Sequence, residues 1–220
     1  MKLEIVVFDR KMAIDAEKSG ATQLNILMEP NQGGLSVCAK TVEEIVQAVS
    51  IPVYVNVRLM PTHYFEDKYM EYAISYIEEV KSYGVTGVIF GSLTPEDKIN
   101  EKHLKAVLAA SEGIEFVYNR AVDFTKNYKT TIKLLKKYGV KSIISSGGTD
   151  KAVKGIDNLI YAKDYIEDII IGASVGLDNV EELYKATGIK QFHIGSDVWI
   201  NEDKVDKKRT KQIRKLLEEI

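Results

Sequence analysis

The chain has 220 residues and a formal net charge of −2, with 45% hydrophobic and 28% charged residues. These values are typical of a single globular domain and give no reason to expect a nucleic acid or an anionic membrane as a partner. The single cysteine, Cys38, excludes an intramolecular disulfide framework.

Short apolar runs alternate with amphipathic stretches along the whole chain. The runs, rich in β-branched and aromatic residues, predict eight strands centred near residues 5, 25, 55, 89, 117, 143, 170 and 193. The stretches predict helices over residues 10–19, 40–50, 66–83, 100–111, 127–138, 150–167, 178–187 and 206–220. Four helices end in a glycine, the residue that most easily takes the left-handed conformation beyond a helix: Gly20, Gly84, Gly139 and Gly188.

Strict alternation of strand and helix predicts a parallel sheet covered by helices. Eight such units predict closure into a (β/α)₈ barrel, the TIM barrel of the α/β class, as one domain over residues 1–220. An open, doubly wound sheet is the alternative. An open sheet of that kind usually has a glycine-rich nucleotide-binding motif after its first strand, but here the first strand is followed by Phe8-Asp9-Arg10-Lys11.

Polar residues stand within the apolar strands or at their carboxyl ends, where barrels of this kind carry their functional sites. They include Glu4, Asn25, Asn56, Arg58, Asn119, Arg120, Asp123 and His193. Polar groups in an apolar interior are costly unless they are hydrogen-bonded, so the set predicts a ligand pocket at the top of the barrel. A structural network between strands is the alternative for any one of them.

Small residues follow the last three strands and are candidates for binding an oxyanion. They are Ser146, Gly147, Gly148, Gly172, Gly195 and Ser196. Glycine lets backbone N–H groups approach a phosphate at the start of a helix. Tight turns between strand and helix explain the same residues equally well.

Metal ligands are sparse, with three histidines, one cysteine and no H-x-H or C-x-x-C pair. Met60 and His63 are the residues that could meet a soft copper ion, although an ordinary role in the loop after the third strand is favoured. Schiff-base chemistry is not indicated, because Lys141 and Lys190 stand at the entrances of strands rather than at their carboxyl ends.

A series of short landmarks runs along nearly the whole chain. In order, they are Leu3-Glu4, Ser19-Gly20-Ala21, Gly33-Gly34-Leu35-Ser36, Ile51-Pro52-Val53, Gly91-Ser92-Leu93-Thr94, Asn119-Arg120-Ala121-Val122-Asp123, Ser146-Gly147 and Gln191-Phe192-His193. Their order and spacing resemble the bacterial CutC copper homeostasis proteins, which are (β/α)₈ barrels. The resemblance implies a part in copper homeostasis, with copper as the candidate cofactor.

The residues that the resemblance carries over are Glu4, Arg58, Arg120, Asp123 and His193. Other positions depart from the family. Asn25-Ile26-Leu27 stands where the family typically has Glu-Leu-Cys, and Asn119 stands where it has a histidine. Copper binding through those lost residues therefore does not carry over, and the metal ligands stay unassigned.

Three functions follow from these observations. The first is a CutC-like protein of copper homeostasis that binds a metal ion or a small ligand at the carboxyl face of the barrel. The second is a lyase or isomerase type of enzyme, in which Arg58 and Arg120 hold a small anionic or phosphorylated metabolite and Asp123 or His193 transfers a proton. The third is a scaffold without catalysis, since the amides of Asn25 and Asn119 do not titrate near neutral pH.

The expected partner is a small-molecule or metal ligand, and a homo-oligomer is left open. Glu4, Asp9 and Arg10 interrupt the apolar N-terminus, so no signal peptide is expected. No stretch approaches the roughly 18 apolar residues of a spanning helix. With the single cysteine, these features predict a cytoplasmic protein without a membrane partner.

Overall fold

Eight parallel strands form a closed barrel in the structure, a computed structural model that describes residues 1–201 and 204–220. The strands are β1 (Lys2–Val7), β2 (Gln23–Ile26), β3 (Val53–Asn56), β4 (Gly87–Phe90), β5 (Glu115–Tyr118), β6 (Ser142–Ser145), β7 (Asp168–Ile171) and β8 (Gln191–Ile194). Neighbours follow chain order, and the barrel closes where β8 pairs with β1. The predicted (β/α)₈ barrel is confirmed.

Eight helices alternate with the strands and cover the outside of the barrel. They are α1 (Arg10–Lys18), α2 (Ala39–Val46), α3 (Met70–Ser82), α4 (Glu101–Ala110), α5 (Tyr128–Lys137), α6 (Ile156–Lys163), α7 (Val180–Thr187) and α8 (Lys207–Glu219). Between β8 and α8 lies a small antiparallel pair that the sequence did not predict, β9 (Trp199–Asn201) and β10 (Lys204–Val205). No helix in the described parts of the chain is long and apolar enough to cross a membrane.

One predicted helix is much shorter in the structure. Residues 150–167 were expected to be helical, but α6 begins only at Ile156, after a 3₁₀ turn at Ala152–Lys154. Gly155 lies at this junction, where a Cβ atom would stand 1.9 Å from the carbonyl oxygen of Ser146. The close backbone approach holds the preceding loop against the end of β6 and delays the helix.

Alternating strand residues build two apolar layers. The larger core lies between strands and helices and includes Val55, Phe90 and Ile171. Inside the barrel, a separate buried cluster consists of Tyr54, Ile89, Val117, Ile144 and Ile170. Because side chains alternate along a strand, the residues two positions further on, at the carboxyl ends, face the same interior space. The inner cluster therefore forms the floor of any cavity at the carboxyl end of the barrel.

Candidate functional site

A cavity of about 500 Å³ opens at the carboxyl end of the barrel, above the inner apolar cluster. Its floor includes Ile89 and Ile144, and its wall carries polar and charged side chains from strands and loops on several sides. Those from the sequence-predicted set are Asn25, Asn56, Arg58, Asn119, Arg120 and His193. The volume suits a small metabolite.

Arg58 is a buried cation in this wall, with 9% of its surface exposed. Its Nη1 donates to the carbonyl oxygen of Gly33 at 2.5 Å, and its Nε donates to that of Met60 at 3.1 Å. Within the described residues no carboxylate pairs with it, and its Nη2 has no hydrogen-bond acceptor. Burial lowers the pKa of Arg58, but a guanidinium stays charged in a protein. The cavity wall thus holds a positive charge that the chain itself does not neutralise.

Gly33 makes this placement possible. Its backbone is left-handed, with φ +82°, and a Cβ atom there would lie 2.5 Å from Nη1 of Arg58. A larger residue would be strained and would displace the guanidinium. The loop after β2 therefore holds the arginine that follows β3.

Arg120, the second arginine of the wall, is held by Asp123. Its Nε donates to Oδ2 of Asp123 at 3.0 Å, and its guanidinium carbon lies 5.7 Å from the ring centre of Phe124. Asp123 also accepts from Ser145 Oγ at 2.7 Å and from the backbone N–H groups of Ser146 and Gly148. With its side chain 1% exposed, Asp123 does not line the cavity. Its geometry suits orientation of Arg120, in contrast to the acid–base part expected for it.

His193 and Glu4 form a hydrogen-bonded pair across the closing strands of the barrel. The two residues are register partners in β8 and β1, and His193 Nδ1 lies 2.6 Å from Glu4 Oε1. Gln23 Nε2 donates to the other carboxylate oxygen at 2.7 Å. An ionised carboxylate only accepts, so Nδ1 carries a proton and the Nε2 of a neutral ring offers its lone pair to the cavity that His193 lines.

His63 is a wall residue that the sequence indicated as a possible copper ligand or, in preference, as an ordinary residue of the loop after β3. Its ring packs on Phe124 with centres 4.7 Å apart, and its Nδ1 is buried without a partner in the described structure. Burial first, and then the charges of Arg58 and Arg120, lower the pKa of His63 to about 4. The ring is therefore neutral at physiological pH. The sequence signal that places His63 near the cavity is its position five residues after Arg58 in the same loop.

Like Glu4 and Asp123, the small residues predicted after the last three strands lie outside the cavity wall: Ser146, Gly147, Gly148, Gly172, Gly195 and Ser196. Gly147 donates its N–H to Ser145 Oγ, and its carbonyl accepts from Asn158, so it fixes the loop after β6. Gly172 lies directly behind the wall, where a Cβ atom would stand 3.5 Å from His193 and 3.7 Å from Arg120. Ser196 borders a separate depression together with Asp197.

Asp197 fills the corner between the loops after β7 and β8, where barrels of this fold often bind phosphate. Its Oδ2 accepts from the N–H of Leu177 at 3.0 Å and from Nε of Arg209 at 2.9 Å. A Cβ atom on Gly176 would lie 2.3 Å from the Asp197 carboxyl carbon. The chain's own carboxylate thus takes the donors that a phosphate would use.

The donor set does not fit a copper ion. Within residues 1–201 and 204–220, no three His, Cys, Asp or Glu side chains are grouped so that they could hold a metal. Cys38 is exposed, with its Sγ 3.1 Å from Thr41 Oγ1, and it does not line the cavity. His63 stands in the field of two arginines, which repel a cation. None of the described residues that line the cavity supplies the thiolate or thioether that soft copper prefers.

Comparison with known proteins gives a consistent family. The CutC family model matches residues 1–198. The copper homeostasis protein cutC homolog of Drosophila melanogaster is 28% identical over 212 residues, which is 93% of this chain and 81% of that protein. A family protein CutC of Pectobacterium atrosepticum is 29% identical over 90% of this chain and 79% of its own length.

Solved structures share the fold. The CutC crystal structure from Streptococcus agalactiae superposes with a TM-score of 0.81 at 20% identity, covering 90% of this chain and all of that one. Phosphoribosyl anthranilate isomerase from Thermotoga maritima superposes with a TM-score of 0.70 at 11% identity over the full length of both chains. At these identities the likeness concerns the barrel alone.

Proposed function

The chain belongs to the CutC family, and on this premise we propose that it binds a small organic anion in the cavity at the top of its barrel. Arg58 and Arg120 hold the anion, and His193, oriented by Glu4, moves a proton to or from the bound molecule. The reaction class is a proton transfer of the lyase or isomerase type.

The unneutralised charge of Arg58 carries the proposal. Both hydrogen-bond acceptors of its guanidinium are backbone carbonyl oxygens, and burying a charge without a counter-charge is costly. A bound carboxylate or phosphate supplies the missing counter-charge and accepts from the free Nη2. Arg120 reinforces the preference, because its side chain, although paired with Asp123, is 32% exposed at the wall.

His193 supports the catalytic half of the proposal. A neutral imidazole whose Nδ1–H is held by a carboxylate has its other nitrogen ready to accept a proton, and the carboxylate stabilises the imidazolium that forms. Glu4 is 1% exposed and touches the cavity only through His193. We therefore assign the proton transfer to His193 and an orienting part to Glu4.

A thermal-shift screen of phosphosugars and organic acids tests the proposal. We expect at least one anion to raise the melting temperature of the wild type, and Arg58→Gln to weaken its binding about tenfold to a hundredfold, as the loss of a charge-assisted hydrogen bond predicts. Arg10→Gln, which removes an exposed arginine, is the matched control and leaves binding unchanged. Binding by no anion, or equal binding by the wild type and Arg58→Gln, would overturn the proposal.

Copper is suggested for this chain only by the names of its relatives. We propose that the chain holds no resident copper ion in its cavity. The absence of a suitable donor group in the described residues supports this. A contribution to copper homeostasis would then run through the metabolite that the barrel binds or converts.

A further inference from the structure

We infer that the anion bound in this cavity carries a hydroxyl or amino group close to its acidic group. Hydroxy acids, amino acids and hydroxylated phosphates then fit better than the plain acids of the same size. The inference rests on the proposed function and adds the chemistry of the other half of the ligand. The basis of the inference is the set of hydrogen-bonding atoms in the cavity wall that have no partner within the described residues.

Backbone contacts fix the orientation of two asparagine side chains in the wall. Nδ2 of Asn56 donates to the carbonyl oxygen of Gly34 at 2.6 Å, so its Oδ1 is left for a ligand. Oδ1 of Asn119 accepts from the N–H of Ala121 at 2.9 Å, so its Nδ2 is left. Because one partner is a carbonyl and the other an N–H, the amide oxygen and nitrogen cannot be exchanged in either residue.

Asn25 adds an acceptor that has no partner at all. The residue is 2% exposed, it lines the cavity, and its Oδ1 is buried without a hydrogen bond in the described structure. A buried amide oxygen without a donor is costly, and native proteins rarely leave one. An O–H or N–H that enters the cavity can satisfy it if the buried amide turns toward the cavity.

The cavity leaves hydrogen-bonding atoms of both kinds unused. The acceptors include the side-chain oxygens of Asn25 of β2 and Asn56 of β3 and the Nε2 of His193 in β8, and the Asp97 carboxylate also lines the cavity. The donors are Arg58 after β3, and Asn119 and Arg120 after β5. A ligand that satisfies both sets has an anionic end toward the donors and a hydrogen-bond donor toward the acceptors.

A carboxylate or phosphate alone does not meet this requirement. At neutral pH a carboxylate has no hydrogen to donate, so a plain acid leaves the oxygen of Asn25 unsatisfied. Sites built to bond a hydroxyl discriminate strongly against analogues that lack it, because their own polar groups are then stranded. We expect a preference of at least about tenfold for the hydroxylated member of a matched pair.

Isothermal titration calorimetry with three matched pairs tests the inference: lactate against propionate, malate against succinate, and glycerol 3-phosphate against propyl phosphate. In the wild type, the hydroxylated member of at least one pair binds about tenfold or more tightly than its partner. Asn25→Leu, which keeps the branched shape of the side chain but removes the acceptor, brings that ratio close to one. Gln47→Leu, at the exposed residue that follows α2, keeps the ratio of the wild type.

The outcomes separate this inference from the proposed function. Equal binding within every pair that binds, or a ratio that survives in Asn25→Leu, overturns the inference while anion binding stands. Binding by none of the six compounds overturns the inference, and a silent thermal-shift screen overturns the proposed function as well. If Asn25→Leu melts below the wild type, Asn25→Ala removes the same acceptor with a smaller side chain.

Discussion

A histidine that titrates far from its usual range stands in the cavity wall beside two arginines. Desolvation and the charges of Arg58 and Arg120 all disfavour the imidazolium form of His63. The same arginines attract an anion. The two arginines that lower the pKa of His63 are thus the same residues that, in our proposal, bind the anionic ligand.

The stability of the free protein should carry the signature of His63. Its pKa is about 4 in the fold and near 6.5 in the unfolded chain, so between these values only the unfolded chain is protonated. Stability therefore falls as the pH falls through this window, by about 2 kcal/mol between pH 8 and pH 5. Urea unfolding of the wild type and His63→Gln at both pH values measures it.

In His63→Gln we expect the loss between pH 8 and pH 5 to be smaller by about that amount. Parallel stability curves for the two proteins would show that His63 titrates normally in the fold. An anion bound between the arginines would raise the pKa of His63, so the measurement is made without added organic acids or phosphate.

At the scale of elements, the loops after β7 and β8 are joined by a carboxylate rather than by a ligand. Asp197 accepts from Leu177 in one loop and from Arg209 at the start of α8. Burial raises the pKa of Asp197, but the hydrogen bonds from Arg209 and Leu177 outweigh it and hold the pKa below its usual value. The corner is therefore closed by the chain itself.

Asp197→Asn tests how much this junction contributes. Because the folded pKa lies below the unfolded value of about 3.8, the charge stabilises the protein above that pH and the benefit disappears as the pH falls below it. We expect the variant to be less stable by roughly 1–3 kcal/mol at pH 7 in urea unfolding. The difference from the wild type should shrink toward pH 3.

Asp157→Asn, in an exposed first turn of α6, is the control for Asp197→Asn and should change stability by less than about 0.5 kcal/mol. Equal effects of the two substitutions would mean that the Asp197 junction contributes no more to the free energy of unfolding than an exposed carboxylate does. A larger effect of Asp197→Asn at pH 3 than at pH 7 would reverse the sign of the expected titration.

At the scale of the whole molecule, the barrel keeps the family fold, while the described residues of its cavity lack the donors of a copper site. Its wall combines amides, arginines and histidines with the Asp97 carboxylate, and none of the described wall residues is a cysteine. Cys38, an exposed thiol at the start of α2, lies apart from them. The two arginines of the wall therefore favour the anionic ligand that we propose over a metal ion.

Copper(I) titration under reducing conditions, with a chelator as competitor, tests this arrangement. We expect no stoichiometric site that withstands the chelator in the wild type. Cys38→Ser separates the alternatives, because weak binding to the exposed thiol disappears in that variant whereas binding in the cavity would persist. A one-to-one copper site retained by Cys38→Ser would contradict our proposal.

Much of the fold and part of the candidate site were accessible from sequence. The eight strands, their order and the barrel followed from local periodicity. Asn25, Asn56 and His193 stood out in the sequence as polar residues within apolar strands, and the structure brings them to one cavity. The start of α6 and the β9–β10 pair were missed. The start of α6 is decided by a close contact between Gly155 and Ser146, and these residues are too far apart in sequence for a local pattern to reveal it.

What the sequence determined by itself is the architecture and the identity of the polar strand ends, since both depend on patterns within a few residues. Only the tertiary structure decided which charges are neutralised. Asp123 pairs with Arg120, Asp197 pairs with Arg209, and Arg58 is left with backbone carbonyl oxygens. Arg120 and Asp123 are only three residues apart, but Asp197 and Arg209 are separated by 12 residues and Arg58 and Gly33 by 25. The energy of a buried charge depends on the whole set of groups around it, which a local pattern does not contain.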